Sequence, residues 1–105
     1  MRILLIGDIV GEPGRRLVQQ CVLVLREQRS LDLVIANAEN AAAGSGVTPA
    51  IYQALIAAGV DGITLGDHVY RRKEIGKTLE KQANIIRPAN FPVSATGSGS
   101  MVLPT

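Results

Sequence analysis

Five side chains in this 105-residue sequence could do chemistry together: Asp8, Glu39, Asn40, Asp67 and His68. Asp8 follows the apolar run Arg2-Ile3-Leu4-Leu5-Ile6. Glu39 and Asn40 follow Leu33-Val34-Ile35, and Asp67-His68 follow Gly62-Ile63-Thr64-Leu65. Short apolar runs bounded by turn residues read as buried strands. In α/β proteins the crevice outside the carboxyl ends of parallel strands is where ligands bind. Carboxylate, carboxamide and imidazole donors suit Mn, Fe or Zn better than they suit soft metals. A carboxylate can also bridge two cations about 4 Å apart, the arrangement that clamps both oxygens of a phosphoryl displacement. Taken singly, each residue has a plainer reading: Asp8 as a cap, Glu39 as a solvated charge, Asn40 as an Asx-turn, His68 as a turn residue. Recurrence at three strand ends is the clue to one shared site and leaves both readings open.

The elements that must position these groups alternate along the chain. Residues 2–6 form a first strand, and Gly7 to Gly14 a loop rich in turn formers. A helix follows, with an apolar stripe of Leu17, Val18, Cys21, Val22, Val24 and Leu25. A second helix has Thr48 to cap it, Pro49 in its first turn and Gly59 just past its end. A third is expected from about Arg72 to Gln82, and Ala83 to Ile86 reads as a short fourth strand. Arg87 to Pro92 is a rigid turn and residues 94–100 a flexible Gly/Ser-rich segment; Met101-Val102-Leu103 could form a further strand. This β-α-β-α-β-α-β order predicts one α/β domain over residues 1–105, with a mostly parallel sheet and helices on both faces. The sheet reads as half-made, with an edge open to pairing.

Composition narrows the function classes. The net charge of +2 is too small for a bulk nucleic-acid binder. One cysteine, Cys21, excludes an internal disulfide and a cysteine-based zinc site; on the inner face of its helix it reads as a small buried hydrophobe. No apolar run is long enough for a membrane span, and the N-terminus lacks the pattern of a signal peptide, so cytoplasmic residence is expected. Gly7 to Gly14 does not match the G-x-G-x-x-G spacing of a dinucleotide site.

The blocks Ile6-Gly7-Asp8-Ile9-Val10-Gly11, Pro13-Gly14-Arg15-Arg16, Val34 to Ala42, Gly46-Val47-Thr48-Pro49, Gly59-Val60-Asp61, Ile63 to His68 and Arg87-Pro88-Ala89-Asn90 resemble the YmdB-like family of bacterial calcineurin-type metallophosphoesterases. The resemblance implies the first half of a metallophosphoesterase sandwich, a dinuclear divalent-metal site (Mn or Fe first, Zn or Mg next) and phosphodiesterase activity on 2′,3′-cyclic nucleotides or similar small phosphodiesters. It makes Asp8 a ligand of the first metal, Glu39 the bridging carboxylate, Asn40 a ligand through its carboxamide oxygen and Asp67 a ligand of the second metal. His68 is implied as the catalytic general acid.

Two departures from the family pattern qualify that expectation. The family has Asn in a Gly-Asn-His block where this chain has Asp67, which adds a negative charge beside the metals. Family members are also about twice as long, and their later half supplies three further histidines, whereas this chain has one. The expectation is therefore a phosphodiesterase that is weak or inactive as this short chain, completed by a C-terminal half or by another copy. The alternative is a non-catalytic metal- or nucleotide-binding module that works by self-association.

Overall fold

The computed structural model describes all 105 residues. In chain order the elements are β1 (Ile3–Ile6), α1 (Gly11–Arg29), β2 (Leu33–Asn37), α2 (Pro49–Ala57), β3 (Gly62–Thr64), α3 (Ile75–Lys81) and β4 (Ile85–Ile86). The four strands form one sheet in the order β1-β2-β3-β4, every pair parallel. The α/β class and the parallel sheet are as the alternation of elements predicts.

The disposition of the helices differs from expectation. When consecutive strands are also neighbours, right-handed crossovers lay every connecting helix on the same side of the sheet. Val34, Ala36, Ile63 and Ile85 point to that side. They share one core with Val18 and Val22 of α1, Tyr52 and Leu55 of α2, and Ile75 and Leu79 of α3. The other face carries no helix. Ile3 is 47% exposed there and Leu5 72%, where helices on both faces would have buried them. Near β3 this face is covered by the C-terminal segment instead. A Cβ on Gly62 would come within 2.8 Å of the Met101 and Leu103 side chains. Residues 101–103 thus pack on the sheet without adding a strand.

Local boundaries move for identifiable reasons. Helix α1 starts at Gly11, with Pro13 inside its first turn, where the missing N–H has no intrahelical partner to lose. Its buried stripe is narrower than the sequence pattern, because only part of α1 lies over the sheet: Val18 and Val22 are buried, while Leu17 and Val24 are more than half exposed. Cys21 is half-buried rather than fully enclosed. It lines an apolar groove of about 370 Å³ between β1 and α1. Helix α2 begins as predicted, with Thr48 Oγ1 accepting from the Ile51 N–H at 3.2 Å. Helix α3 starts three residues late, because Asp67 to Glu74 is spent in turns: Val69 N–H bonds to Gly66, Arg71 to His68 and Ile75 to Arg72. Those turns keep His68 and Arg72 beside the loop that follows β2.

Candidate metal centre

The loops after the first three strands are stitched to one another by backbone bonds. Ile9 N–H donates to Asn37 O at 3.1 Å, Gly11 N–H to Asn40 O at 3.1 Å and Ala38 N–H to Thr64 O at 3.0 Å. The loop after β2 then coils on itself. Gly44 N–H bonds back to Asn40 and Ser45 N–H to Ala42, while Gly46 N–H reaches Glu39 O at 2.5 Å. Ala43, Gly44 and Gly46 all take positive φ, at 51°, 89° and 85°. Ala43 is the costly one, since a Cβ disfavours that region. Such a turn projects Glu39 and Asn40 over the strand ends.

The five side chains named from the sequence meet there in one chain of contacts. Asn40 Nδ2 donates to Asp8 Oδ1 at 2.8 Å, and Asn40 Oδ1 meets His68 Nδ1 in a short hydrogen bond. That contact identifies Nδ1 as the nitrogen carrying the proton in the neutral ring, which leaves Nε2 facing outward. Glu39 Oε2 lies 4.0 Å from His68 Nδ1 and 3.4 Å from the His68 backbone N. Asp67 Oδ1 lies 4.0 Å from His68 Nε2.

One donor atom each from Glu39, Asp67 and His68 falls within 4.8 Å of the others. Burial grades across the cluster: the side chain of Glu39 is 21% exposed, that of His68 30% and that of Asp67 85%. Asp8 is exposed and joins the cluster through Asn40. Two carboxylates and an imidazole at this spacing are a donor set for a hard or borderline divalent cation.

Gly66, shortly after β3, bears directly on the cluster. A Cβ at this position would run into both carboxylate oxygens of Glu39, so the glycine is the seat on which that side chain rests. The arginines also divide. Arg16 forms an exposed i,i+4 ion pair with Glu12, the solvated helix-start charge its position suggests. Arg15 donates to Ala41 O at 2.5 Å. Arg72 donates through Nε to Ser45 O and through Nη2 to Ala42 O, both at 3.2 Å. Arg71 is exposed. Neither the apolar groove between β1 and α1 nor the two other grooves of the surface include a cluster residue; the centre is an open rim.

A family model of YmdB-like proteins matches residues 4–105. The chain belongs to the YmdB-like family. It is 46% identical over 99 residues to the 2′,3′-cyclic-nucleotide 2′-phosphodiesterase of Bacillus subtilis (strain 168), a match covering 94% of this chain and 38% of that protein. Two crystal structures superpose closely. A hypothetical protein from Thermus thermophilus is 43% identical with a TM-score of 0.88, over 94% of this chain and 38% of that one. A novel phosphatase from Mycoplasma pneumoniae is 30% identical with a TM-score of 0.88, over 98% of this chain and 38% of that one. The chain therefore spans a little over a third of the length of the relatives it matches. Within the family, the Glu39, Asp67 and His68 group is a candidate metal-binding triad. No helix of the chain is long and apolar enough to cross a membrane.

Proposed function

We propose that this chain contributes one side of a metal-dependent phosphodiesterase centre acting on 2′,3′-cyclic nucleotides or similar small phosphodiesters. The observation that carries the reading is the convergence of the carboxylates of Glu39 and Asp67, as ligands, with the imidazole of His68, as proton donor, within 4.8 Å at the carboxyl rim of a parallel sheet. The named activity of the 46% identical Bacillus subtilis relative supplies the substrate class. Asp8, Glu39, Asn40 and Asp67 would hold two divalent cations, with Glu39 shared between them. When bound, such a pair supplies Lewis acidity, lowering the pKa of a water and offsetting charge on phosphate oxygens.

The remaining work falls to the chain itself. Gly66 and the His68 backbone N–H seat the Glu39 carboxylate between two strand ends. Asn40 Oδ1 accepts from His68 Nδ1, which leaves Nε2 as the second nitrogen. In the imidazolium form of the ring, Nε2 would carry the proton passed to the departing alkoxide oxygen, and the ring would return to its neutral form. Asp67, the most exposed of the group, brings one more negative charge than an asparagine would. We expect it to tighten cation binding while weakening the cations as Lewis acids. Four side-chain ligands cannot saturate two cations that each take four to six donors. We therefore expect slow turnover or none from these 105 residues alone.

Metal content per chain after manganese loading and desalting tests the assignment. Retained manganese in the parent and in His68→Ala, with none in Glu39→Ala, is the expected pattern. Loss in His68→Ala equal to that in Glu39→Ala would make His68 a ligand and remove the proton-donor role. No retained metal in the parent would overturn the centre. Asp67→Asn should hold manganese more weakly; unchanged affinity and an unchanged rate on an aryl phosphodiester would take Asp67 out of the site. The bare sheet face at Ile3 and Leu5 favours a second reading, a binding module that self-associates. A monodisperse monomer in light scattering at high concentration would end it.

A further inference from the structure

We propose that Arg15 and Arg72 are positioning residues for the candidate metal centre, acting through the loop that carries Glu39 and Asn40. The inference rests on the reading of that rim as a cation site. The two guanidinium groups come from separate places, Arg15 from the first turns of α1 and Arg72 from the turn before α3. They converge on one short loop. Arg15 holds the carbonyl of Ala41, and Arg72 holds those of Ala42 and Ser45 with the two arms of its fork. These are the residues directly after Asn40.

The grip reaches Glu39 by a short path. The stem of Arg72 lies against Gly46, where a Cβ would stand 2.9 Å from Arg72 Cγ. The Gly46 N–H in turn bonds to the Glu39 carbonyl at 2.5 Å. Gly46 has φ +85° and no side chain, which lets the loop close this tightly against the arginine. Neither Arg15 nor Arg72 forms an ion pair with a carboxylate; the polar contacts of both are with loop carbonyls. A planar guanidinium can bind two carbonyls at once, which a lysine ammonium cannot reproduce with the same geometry. The loop needs such outside support. Ala43 is held at φ 51°, a conformation that costs an L residue energy and persists only where its surroundings impose it.

The sign of the effect separates positioning from charge. Removing a positive charge near a cation site should strengthen cation binding by electrostatics alone, whereas releasing the loop should weaken it. Arg71, next in sequence and exposed, provides the charge-matched control. The experiment is manganese titration of the full chain and of Arg71→Ala, Arg72→Ala, Arg72→Lys and Arg15→Ala. It is paired with amide hydrogen exchange on the metal-free proteins.

The expected result is about tenfold weaker manganese binding in Arg72→Ala, the loss of charge-assisted bonds. Arg15→Ala should show a smaller loss, Arg72→Lys partial recovery and Arg71→Ala no weakening. Exchange at the amides of Gly44, Ser45 and Gly46 should quicken in Arg72→Ala and Arg15→Ala while β2 stays protected. Should Arg72→Ala not fold, Arg72→Lys carries the comparison, with intermediate weakening expected. Manganese binding in the Arg72 variants as tight as in Arg71→Ala, with loop exchange unchanged, would overturn the proposal. A parent chain that binds no manganese would instead defeat the cation reading. Loop exchange in the variants would then decide the positioning claim by itself.

Discussion

The two faces of the sheet obey different rules. On one, Val34, Ala36, Ile63 and Ile85 are 1% exposed or less and pack against all three helices. On the other, Leu5 is 72% exposed and Ile3 47%, with Met101 and Leu103 covering only the region of Gly62. The strands are of the same apolar kind throughout, so composition does not cause the difference. Its cause is topological: a sequential strand order with right-handed crossovers has one side on which to place helices. The candidate site lies at the boundary between the two faces, at the carboxyl ends of β1, β2 and β3, and is braced from the covered side.

That contrast can be broken most decisively by a pair of substitutions measured in urea unfolding. Ile63→Ala should cost about 2–5 kcal/mol, since the side chain is wholly enclosed. Leu5→Ala should stay within about 0.5 kcal/mol. A cost at Leu5 comparable to that at Ile63 would show that the second face is covered in solution.

Smaller effects sharpen the picture on the rim and on the covered side. Gly66→Ala drives a methyl group into the Glu39 carboxylate. It should cost about 1–3 kcal/mol as overpacking and abolish manganese retention; a variant that kept its metal would dissociate Gly66 from the site. Thr48→Ala removes the cap of α2 and should lower stability by about 1 kcal/mol without touching metal content.

The smallest effect concerns Tyr52, buried on α2 with its hydroxyl donating to Asn84. Burial raises its pKa above the ordinary 10.0, the contact with Asn84 pulling the other way. The folded chain thus holds the phenolic proton more tightly than the unfolded chain does. This contribution is complete below the ordinary tyrosine pKa and is lost as pH climbs through the raised one. Stability should fall at alkaline pH with a slope that Tyr52→Phe reduces. An identical slope in the variant would remove Tyr52 as its source.

Much of this architecture was legible in the residues. Turn-bounded apolar runs located all four strands, and Thr48-Pro49 located the start of α2. Adjacent polar pairs at strand ends pointed to Glu39-Asn40 and Asp67-His68, and the five named side chains do share one set of contacts. Three features escaped. The side taken by the helices depends on strand order, which local pattern does not encode. The role of Gly66 did not show, because its closeness to Glu39 joins residues 27 positions apart. The role of Arg72, expected only as the start of the third helix, did not show either: its partners are carbonyls of Ala42 and Ser45, and backbone acceptors leave no trace in side-chain identity.

The sequence by itself determined which segments are strands and helices and which donor types stand at their ends. Hydrophobic period, capping residues and turn formers act over a few neighbouring positions. Only the tertiary structure decided that the strands lie in sequential order, that one face is left bare and that two arginines grip the loop carrying Glu39 and Asn40. Those outcomes depend on groups distant in sequence meeting across the sheet. Their energies come from packing and from backbone hydrogen bonds, and no single stretch of chain carries either alone.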